Sequence, residues 1–221
     1  MKRHEPEGRS AVLLCNGEPP SQGLLKRAVR GADVFVCADG GANAARRYGV
    51  QPDLIAGDLD SVSRTTLQWC TRARIVRVRR QDNTDLEKTL DLLLKESVTG
   101  VLILGIAGGR LDMTLGNLSV LWNYTSRLRI TCAGDGWRAH PVVGTLVLTA
   151  RPGATVSLVP FGACSGITLH GLKYPLRNAR MPVGTIGVSN VALRSRISVT
   201  VTRGHMLVLV HERRARGSSE R

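Results

Sequence analysis

The first 133 residues alternate between short apolar runs and segments in which apolar residues recur at helical spacing. The runs have the character of buried β-strands and lie at residues 11–15, 33–38, 54–56, 75–78, 101–104 and 128–132. The segments between them predict helices near residues 24–29, 42–48, 84–94 and 111–122. Because strands that alternate with helices form mostly parallel sheets with helices on both faces, this half predicts an α/β domain.

The helix predicted near residue 84 has the clearest signals. Thr84 and Glu87 have the Thr-x-x-Glu spacing of a capping box, in which two side chains bond the free backbone N–H groups of the first turn. The core-facing stripe that follows consists of Leu86, Leu90, Leu93 and Leu94. The stripe of the next predicted helix consists of Leu111, Leu115, Leu118 and Trp122.

After about Gly134 the helical spacing disappears and short β-rich runs replace it. These runs lie at residues 146–149, 155–159, 166–170, 185–188, 197–202 and 206–210, and turn residues separate them. This pattern is typical of a small antiparallel sandwich or barrel. The sequence therefore predicts an α/β domain at residues 1–133, a β domain at residues 134–213 and a disordered basic tail at residues 214–221.

Composition is that of a globular protein outside membranes. Of the 221 residues, 43% are hydrophobic and 22% are charged, which is ordinary for this class. No apolar run approaches the roughly 18 residues of a membrane span, and Asn16-Gly17 interrupts the first apolar run before it could form a secretory signal. The expected compartment is the cytoplasm.

The cysteines and histidines do not indicate a metal or disulfide framework. The five cysteines are an odd number without Cys-x-x-Cys spacing, and three of them, Cys15, Cys37 and Cys132, lie in apolar runs. We therefore expect buried, reduced thiols. The five histidines are scattered and fit no zinc spacing.

The formal net charge is +14, since 31 lysines and arginines face 17 carboxylates. Such an excess is found in proteins that bind nucleic acid, but here the arginines are scattered and aromatic residues for base stacking are only 4% of the chain. A polyphosphate ligand or a generally basic proteome explains the charge more simply, so we expect no nucleic-acid partner.

Against this basic background, carboxylates form two tight groups. Asp58 and Asp60 are two apart, which in an extended segment puts both on one side, and Asp82 and Asp85 lie at the start of the capped helix. Each group has a simpler interpretation, as a solvated turn or as a charge that stabilises a helix start. Together, at strand ends of one predicted sheet, they indicate a Mg²⁺ site. Lys88 is predicted to pair with Asp85 or to reach a phosphate.

Two glycine-rich turns lie at other predicted strand ends. Asp39-Gly40-Gly41-Ala42-Asn43 and Gly108-Gly109-Arg110 each precede a predicted helix, so that backbone N–H groups could approach an anion. A plain tight turn is the alternative in both cases. Arg110 favours the phosphate interpretation, because a guanidinium suits phosphate oxygens. Asp112 and Asn117 lie on the helix that follows.

The order and spacing of these segments resemble the thiamine pyrophosphokinase (thiamine diphosphokinase) family. The segments that carry the resemblance are Ala38-Asp39-Gly40-Gly41-Ala42-Asn43, Pro52-Asp53 with Gly57-Asp58-Leu59-Asp60-Ser61, Gln81-Asp82-Asn83-Thr84-Asp85 with Lys88, Gly108-Gly109-Arg110-Leu111-Asp112 with Asn117, Gly171-Leu172-Lys173-Tyr174-Pro175-Leu176, and Gly187-Val188-Ser189-Asn190.

The resemblance implies a homodimer in which each subunit has a nucleotide domain followed by a β-sandwich domain. It implies Mg²⁺-dependent transfer of diphosphate from ATP to thiamine, with AMP released. By motif, Asp58, Asp60 and Asp85 would hold Mg²⁺, with Asp82 nearby. The residues implied on the ATP side are Asp39, Gly40, Asn43, Lys88, Gly108, Gly109, Arg110, Asp112 and Asn117. Those implied near thiamine are Gln81, Ser189 and Asn190.

Two positions depart from the family pattern. Met113 stands where members often have histidine. In animal members an aromatic residue that could stack on thiamine often follows the Ser-Asn segment, whereas here Val191-Ala192-Leu193-Arg194 follows it. Two alternative functions follow from these departures and from the charge. One is a pyrophosphokinase for another alcohol, such as a pterin; the other is an idle nucleotide- or RNA-binding relative. Asp39 and Asp82 are the two candidates for the base that accepts the hydroxyl proton.

Overall fold

The computed structural model describes residues 8–79 and 82–212. The chain folds into two compact units, the first ending at Asp135 and the second beginning at Gly136. The strands of the first unit are β1 Arg9–Leu14, β2 Val34–Ala38, β3 Leu54–Gly57, β4 Arg74–Arg77, β5 Val98–Leu104 and β6 Arg129–Gly134. Its helices are α1 Gln22–Arg30, α2 Gly41–Arg47, α3 Arg64–Trp69, α4 Asp85–Lys95 and α5 Leu111–Ser119, followed by a short 3-10 helix at Leu121–Asn123.

The strands of the first unit form a parallel sheet in the order β6-β5-β1-β2-β3-β4. The central strands β1 and β2 are buried almost throughout, as expected for strands covered on both faces. In this strand order the chain reverses its direction of winding between β1 and β5, which is the place where open α/β sheets bind ligands. The predicted α/β fold of this half is confirmed.

Local signals place α4 as predicted. The Thr84 hydroxyl accepts a hydrogen bond from the Glu87 backbone N–H, and the Glu87 carboxylate accepts one from the Thr84 backbone N–H, so the capping box is present. Leu86, Leu90 and Leu93 are buried, whereas Leu94 is only partly buried. The capping box thus fixes the start of the helix that carries Asp85 and Lys88.

The apolar stripe predicted for residues 111–122 behaves differently. The helix ends at Ser119, so Trp122 lies in the 3-10 helix that follows. Leu111 is 71% exposed and Leu115 is 54% exposed. Helical spacing therefore predicted the helix, but Leu111 and Leu115 do not face the core of the unit, whereas Trp122 is buried.

The second unit contains antiparallel strands. They are β7 Trp137–Thr149, β8 Thr155–Pro160, β9 Cys164–His170, β10 Ala179–Met181, β11 Asn190–Val191 and β12 Arg196–His211. The 16-residue strand β12 pairs with β7 along its length, with β9 in its first half and with β8 in its second half. A separate apolar core, which includes Leu158, Ile167 and Val199, lies among these strands. The predicted antiparallel fold of this half is confirmed.

Three details of the prediction were wrong. Residues 185–188 form a turn rather than a strand, closed by a hydrogen bond from the Val188 N–H to the Thr185 carbonyl. The runs at 197–202 and 206–210 belong to one strand, because Arg203 and Gly204 continue it through a bulge opposite β7. Helix α3 was missed, since its six residues are too few to show an apolar period.

The state of the cysteines and the lengths of the helices were both predicted from the sequence. Cys15, Cys37, Cys70, Cys132 and Cys164 are free and buried, as predicted. In the described ranges, no helix has the length and apolarity needed to cross a bilayer.

Candidate active site

A cavity of about 470 Å³ opens at the carboxyl edge of the first unit's sheet. It collects residues from segments that are far apart in sequence: the ends of β1 and β2, the loop after β3, the start of α4 and the start of α5. The polar residues that line it include Asn16, Asp39, Asp58, Asp60, Ser61, Thr84, Asp85, Arg110, Thr114 and Asn117. The predicted strand-end segments therefore converge on one space.

Asp39 forms the buried wall of this cavity. It directly follows β2, is 2% exposed and has a left-handed backbone with φ 42°, which aspartate tolerates better than most residues. Its carboxylate accepts hydrogen bonds from the Ser61 N–H at 3.0 Å and the Val62 N–H at 3.2 Å. Burial raises the pKa of Asp39 in spite of these bonds. Asp39 thus fixes the loop that carries Asp58 and Asp60.

The loop after β3 has a strained backbone. Gly57 has φ 146°, and there a Cβ would lie 2.9 Å from the Asp39 side chain. Leu59 has φ 66°, a left-handed conformation that is unusual for a bulky residue and is often found at functional sites. This conformation brings one carboxylate oxygen from each of Asp39, Asp58 and Asp60 within 4.8 Å of the others.

Lys88 is buried beneath the loop, with its side chain 3% exposed. Its ammonium donates to Asp58 Oδ2 at 3.1 Å and to Asp85 Oδ1 at 2.9 Å. Burial alone would lower the pKa of Lys88, but the two carboxylates outweigh it and raise the pKa. Likewise, burial would raise the pKa of Asp58, but the hydrogen bond and charge of Lys88 lower it below its usual range. Lys88 therefore favours the ionised form of Asp58.

The donor set fits a hard divalent cation. The second oxygen of Asp58, Oδ1, is buried and has no hydrogen-bond partner in the described part of the chain. A buried carboxylate oxygen without a partner is costly, and a cation next to it removes that cost. Carboxylate oxygens are the ligands that Mg²⁺ prefers. The predicted ligands Asp58, Asp60 and Asp85 all line the cavity, and the structure adds Asp39 to their neighbourhood.

The second glycine turn lines the same cavity. Gly108 has φ 97°, and a Cβ there would lie 2.5 Å from the Glu18 Cβ, so the position requires glycine. Arg110 is exposed and bonds Asp112 through its Nε at 3.1 Å. Exposed ion pairs of this kind are weak, so a phosphate could displace Asp112 from the guanidinium. Asn117 is 8% exposed, and its Oδ1 has no partner among the described residues.

Several predicted site residues do not line this cavity. Asn43 bonds the Ser61 carbonyl and the Ser63 N–H, both at about 3 Å, so it braces the carboxylate loop from behind. Gly40 packs against Asn16, where a Cβ would lie 2.4 Å from the amide. Asp82 and Asp112 are exposed outside the lining. Gln81 lies outside the described residues.

Asn16 and Thr114 line the cavity although sequence reasoning gave them no role in the site, and Met113, which departs from the family pattern, lines it too. Asn16 lies two residues after the end of β1, a central strand of the sheet, so its position near a strand end was the available signal. Thr114 and Met113 come from the first turn of α5, whose orientation cannot be read from an exposed apolar stripe. Cys15 also lines the cavity, but burial raises its pKa to about 12, so its thiol is no nucleophile at neutral pH.

Ser189 and Asn190, predicted near thiamine, lie in the second unit. Asn190 is 6% exposed, and both Oδ1 and Nδ2 of its amide are hydrogen-bonded. Its Oδ1 accepts from the Tyr174 N–H at 3.0 Å and the Val191 N–H at 2.8 Å, while its Nδ2 donates to the Tyr174 carbonyl at 2.9 Å. Asn190 therefore fastens the segment around Tyr174 to β11, which is a structural role in this unit.

Replacing Asn190 by alanine is expected to lower the free energy of unfolding by about 2 kcal/mol, because three partly buried backbone groups lose their partner. Urea denaturation measures this change. Ser189→Ala is the matched control, since the described bond of Ser189 uses its backbone N–H, and its cost should stay below about 0.5 kcal/mol. Equal losses from the two substitutions would refute the fastening role of Asn190.

The fold and the cavity define an α/β protein with a carboxylate cluster and glycine turns at one sheet edge. Residues 25–132 match the family model described as thiamin pyrophosphokinase, catalytic domain, and residues 145–206 match thiamin pyrophosphokinase, vitamin B1 binding domain. The chain belongs to the thiamine pyrophosphokinase family, as the sequence motifs predicted.

Curated relatives include plant and bacterial proteins. Thiamine pyrophosphokinase 1 of Oryza sativa is 30% identical over 76% of this chain and 75% of its own length. Thiamine pyrophosphokinase 3 of the same plant is 31% identical over 90% of this chain and 85% of its own. Thiamine pyrophosphokinase of Bacillus subtilis is 27% identical over 80% and 86%.

Solved structures show the same fold at lower identity. The thiamine pyrophosphokinase of Bacillus subtilis superposes with a TM-score of 0.80 at 22% identity, covering 93% of this chain and all of that one. The yeast enzyme superposes with a TM-score of 0.80 at 20% identity, covering 94% of this chain and 87% of that one.

Proposed function

We propose that this chain transfers diphosphate from ATP to the hydroxyl of thiamine, giving thiamine diphosphate and AMP. One observation carries the proposal: Asp39, Asp58 and Asp60 converge in a cavity that also contains a glycine turn and Arg110. A carboxylate cluster suits a cation that accompanies a polyphosphate, and the turn and guanidinium suit the polyphosphate itself. Membership of the thiamine pyrophosphokinase family is the reason for choosing ATP and thiamine as the two substrates.

Four carboxylates of the cavity would hold Mg²⁺: Asp39, Asp58, Asp60 and Asp85. When bound, the cation neutralises charge on the phosphates of ATP. Of the two roles predicted for Lys88, we assign it the pairing with carboxylates rather than the contact with a phosphate, because its ammonium is bonded to Asp58 and Asp85. It offsets the repulsion between these two carboxylates and holds them in position before substrate arrives.

The nucleotide would lie along the glycine turn. The N–H groups of Gly108 and Gly109 and the guanidinium of Arg110 are the donors for its phosphates, and they would stabilise charge that develops in the transition state. Asn117, with its unpartnered buried Oδ1, would accept a hydrogen bond from the nucleotide. Three predicted residues act through their neighbours. Gly40 allows close packing, Asn43 braces the carboxylate loop, and Asp112 pairs with Arg110.

The acceptor hydroxyl attacks the β-phosphorus, and AMP leaves in line. Of the two candidate bases, Asp39 lines the cavity and Asp82 does not. For the acceptor itself, Ser189 and Gln81 are the proposed contacts, and Asn190 shapes the segment beside Ser189 through its bonds to Tyr174.

We further infer that the chain acts as a homodimer in the cytoplasm. Leu111 and Leu115 expose an apolar surface on α5, directly beside the cavity residue Met113, and a second copy could cover it. Five free cysteines agree with a reducing compartment.

An assay of AMP release against a panel of alcohols tests the acceptor. Purified full-length protein is incubated with ATP, Mg²⁺ and either thiamine, a hydroxymethyl pterin or no acceptor. Release should depend on thiamine and exceed the other two reactions at least about tenfold, a difference of about 1.4 kcal/mol in barrier. Faster release with the pterin would refute thiamine as acceptor. No release with any acceptor, together with salt-sensitive RNA binding, would indicate the idle relative.

A further inference from the structure

The first unit has a second pocket, with a volume of about 360 Å³, on helices α2 and α3. The residues that line it are Asn43, Arg46, Arg47, Ser63 and Thr66. None of these five residues lines the cavity of the carboxylate cluster. The pocket is therefore a separate space, and no step of the proposed diphosphate transfer takes place in it.

Arginines give this pocket its charge. Arg46 and Arg47 are exposed in the last turn of α2, and neither has a carboxylate partner within residues 8–79 and 82–212. The stretches of sequence that form the pocket, residues 40–52 and 61–71, have three arginines and no carboxylate. Guanidiniums without a carboxylate favour an anion, and their planar N–H groups match the geometry of phosphate oxygens. The pocket is therefore suited to a phosphate group.

Hydroxyl groups beside the arginines form a chain of hydrogen bonds. Arg46 Nη1 donates to Thr65 Oγ1 at 2.6 Å, which directs the guanidinium toward α3. Thr65 Oγ1 lies 3.1 Å from Ser63 Oγ, which donates to Thr66 Oγ1 at 2.8 Å. Thr66 is 1% exposed, and its own hydroxyl proton has no acceptor among the described residues. A buried donor without an acceptor is costly, and a ligand oxygen in the pocket would remove that cost.

The pocket shares a wall with the loop that carries the carboxylates. Asn43 lines the pocket, and its amide bonds the Ser61 carbonyl at 2.9 Å and the Ser63 N–H at 3.0 Å. Ser61 in turn donates its backbone N–H to Asp39 at 3.0 Å and its hydroxyl to Asp60 at 2.9 Å. An anion held in the pocket therefore contacts residues that fix this loop.

We propose that this pocket binds the phosphate group of a small ligand, either free inorganic phosphate or a phosphate ester. The guanidiniums of Arg46 and Arg47 bind its oxygens, and the hydroxyl of Thr66 donates to one of them. Because the arginines are exposed to solvent, the dissociation constant is expected to be about 1 mM. The bound anion stabilises the loop before α3 in the conformation that brings the carboxylates together. Nothing in this inference rests on the proposed function.

Calorimetry on the full-length protein tests the site. Inorganic phosphate and glycerol phosphate are titrated separately in EDTA, without ATP, at an ionic strength that chloride keeps constant. EDTA prevents a divalent cation from bringing either ligand to the carboxylate cluster. Binding of inorganic phosphate alone would assign the pocket to the free anion, and tighter binding of glycerol phosphate would assign it to an ester. Binding of neither ligand would overturn the inference and leave the arginines as charges that stabilise the end of α2.

Variants assign the binding to this pocket. Arg46→Gln/Arg47→Gln should weaken it about tenfold or more. Arg27→Gln/Arg30→Gln removes the same charge from the last turn of α1, outside the pocket lining, and it should change the affinity less than about twofold. Arg110→Gln, at the glycine turn, should also retain the affinity. Equal losses in the two double variants, or a loss in Arg110→Gln alone, would overturn the inference.

Hydrogen exchange tests the link to the carboxylate loop. The backbone N–H groups of Ser61 and Val62 bond Asp39, and that of Ser63 bonds Asn43, so their exchange requires the loop to open. With ligand at about ten times its dissociation constant, exchange at these three amides should slow about tenfold, because the open loop no longer completes the pocket. Arg46→Gln/Arg47→Gln should show much less slowing at the same ligand concentration. Unchanged exchange in the wild-type protein with ligand bound would refute the stabilisation of the loop.

Discussion

Asp58→Asn is expected to reduce the rate of AMP release about a hundredfold to a thousandfold. Asp58 contributes an oxygen to the carboxylate cluster, and its other bonds show why an amide cannot replace it. Its Oδ2 accepts from Lys88, and its buried Oδ1 has no described partner, so the site relies on two oxygens that both accept. An amide offers one acceptor and loses the charge that a divalent cation needs. Losses of a hundredfold to a thousandfold follow from removing a single stabilising group of this kind.

The control for this substitution is Asp33→Asn. Asp33 is another carboxylate of the first unit, bonded to Ser10 and outside the cavity lining, so its variant should retain nearly full activity. Titrating Mg²⁺ in the assay gives a second readout. If Asp58→Asn kept more than about a tenth of the activity at saturating Mg²⁺, the assignment of Asp58 to the metal site would be refuted.

Lys88→Met is expected to lower the free energy of unfolding by about 2 kcal/mol. Removing one partner of a buried ion pair costs about 3–5 kcal/mol when the remaining charge has no water. Here the side chains of Asp58 and Asp85 are 36% and 29% exposed, so solvent offsets part of that cost. The same variant should lose most of its AMP release, because the two carboxylates then repel each other without a cation between them.

A double variant separates charge balance from packing. In Lys88→Met/Asp85→Asn one of the two carboxylates is neutral, so at least half of the lost stability should return. Lys95→Met, at the exposed end of the same helix, should cost less than about 0.5 kcal/mol. A double variant that is less stable than Lys88→Met alone would show that Lys88 does not balance these carboxylates. Urea denaturation of the four proteins makes the comparison.

The sequence predicted the scaffold of the site because its signals are local. The capping box of Thr84 and Glu87 fixes the start of α4, and the apolar runs of β1 and β2 are buried on both faces as their composition indicates. Since parallel strands end at a common edge, the segments after them had to come together, and Asp39, Asp58 and Asp85 do line one cavity.

Features that depend on the path of the backbone could not be predicted. Asp39 and Leu59 both have left-handed backbone conformations, which leucine rarely adopts and which a single aspartate permits but does not predict. Lys88 was open to two interpretations, because helical spacing shows its proximity to Asp85 but not that the loop after β3 lies over it.

In the second unit, too, the path of the backbone could not be predicted from the sequence. Thr185-Ile186-Gly187-Val188 has the composition of a strand, but tertiary contacts override it: Gly187 packs against the Leu158 carbonyl and Ser189 has φ 66°, so the segment turns. Asn190 stays a predicted ligand contact, and its three hydrogen bonds to Tyr174 and Val191 could not be read from the motif. A motif gives the position of such a residue, and only the fold gives its partners.

The most direct test of the diphosphate transfer is a ³¹P NMR time course of the full-length protein with ATP, Mg²⁺ and thiamine. Transfer in one step predicts AMP and thiamine diphosphate in equal amounts, without ADP or thiamine monophosphate at any time. Formation of ADP with thiamine monophosphate, or of AMP with free diphosphate and no thiamine ester, would contradict the proposed function.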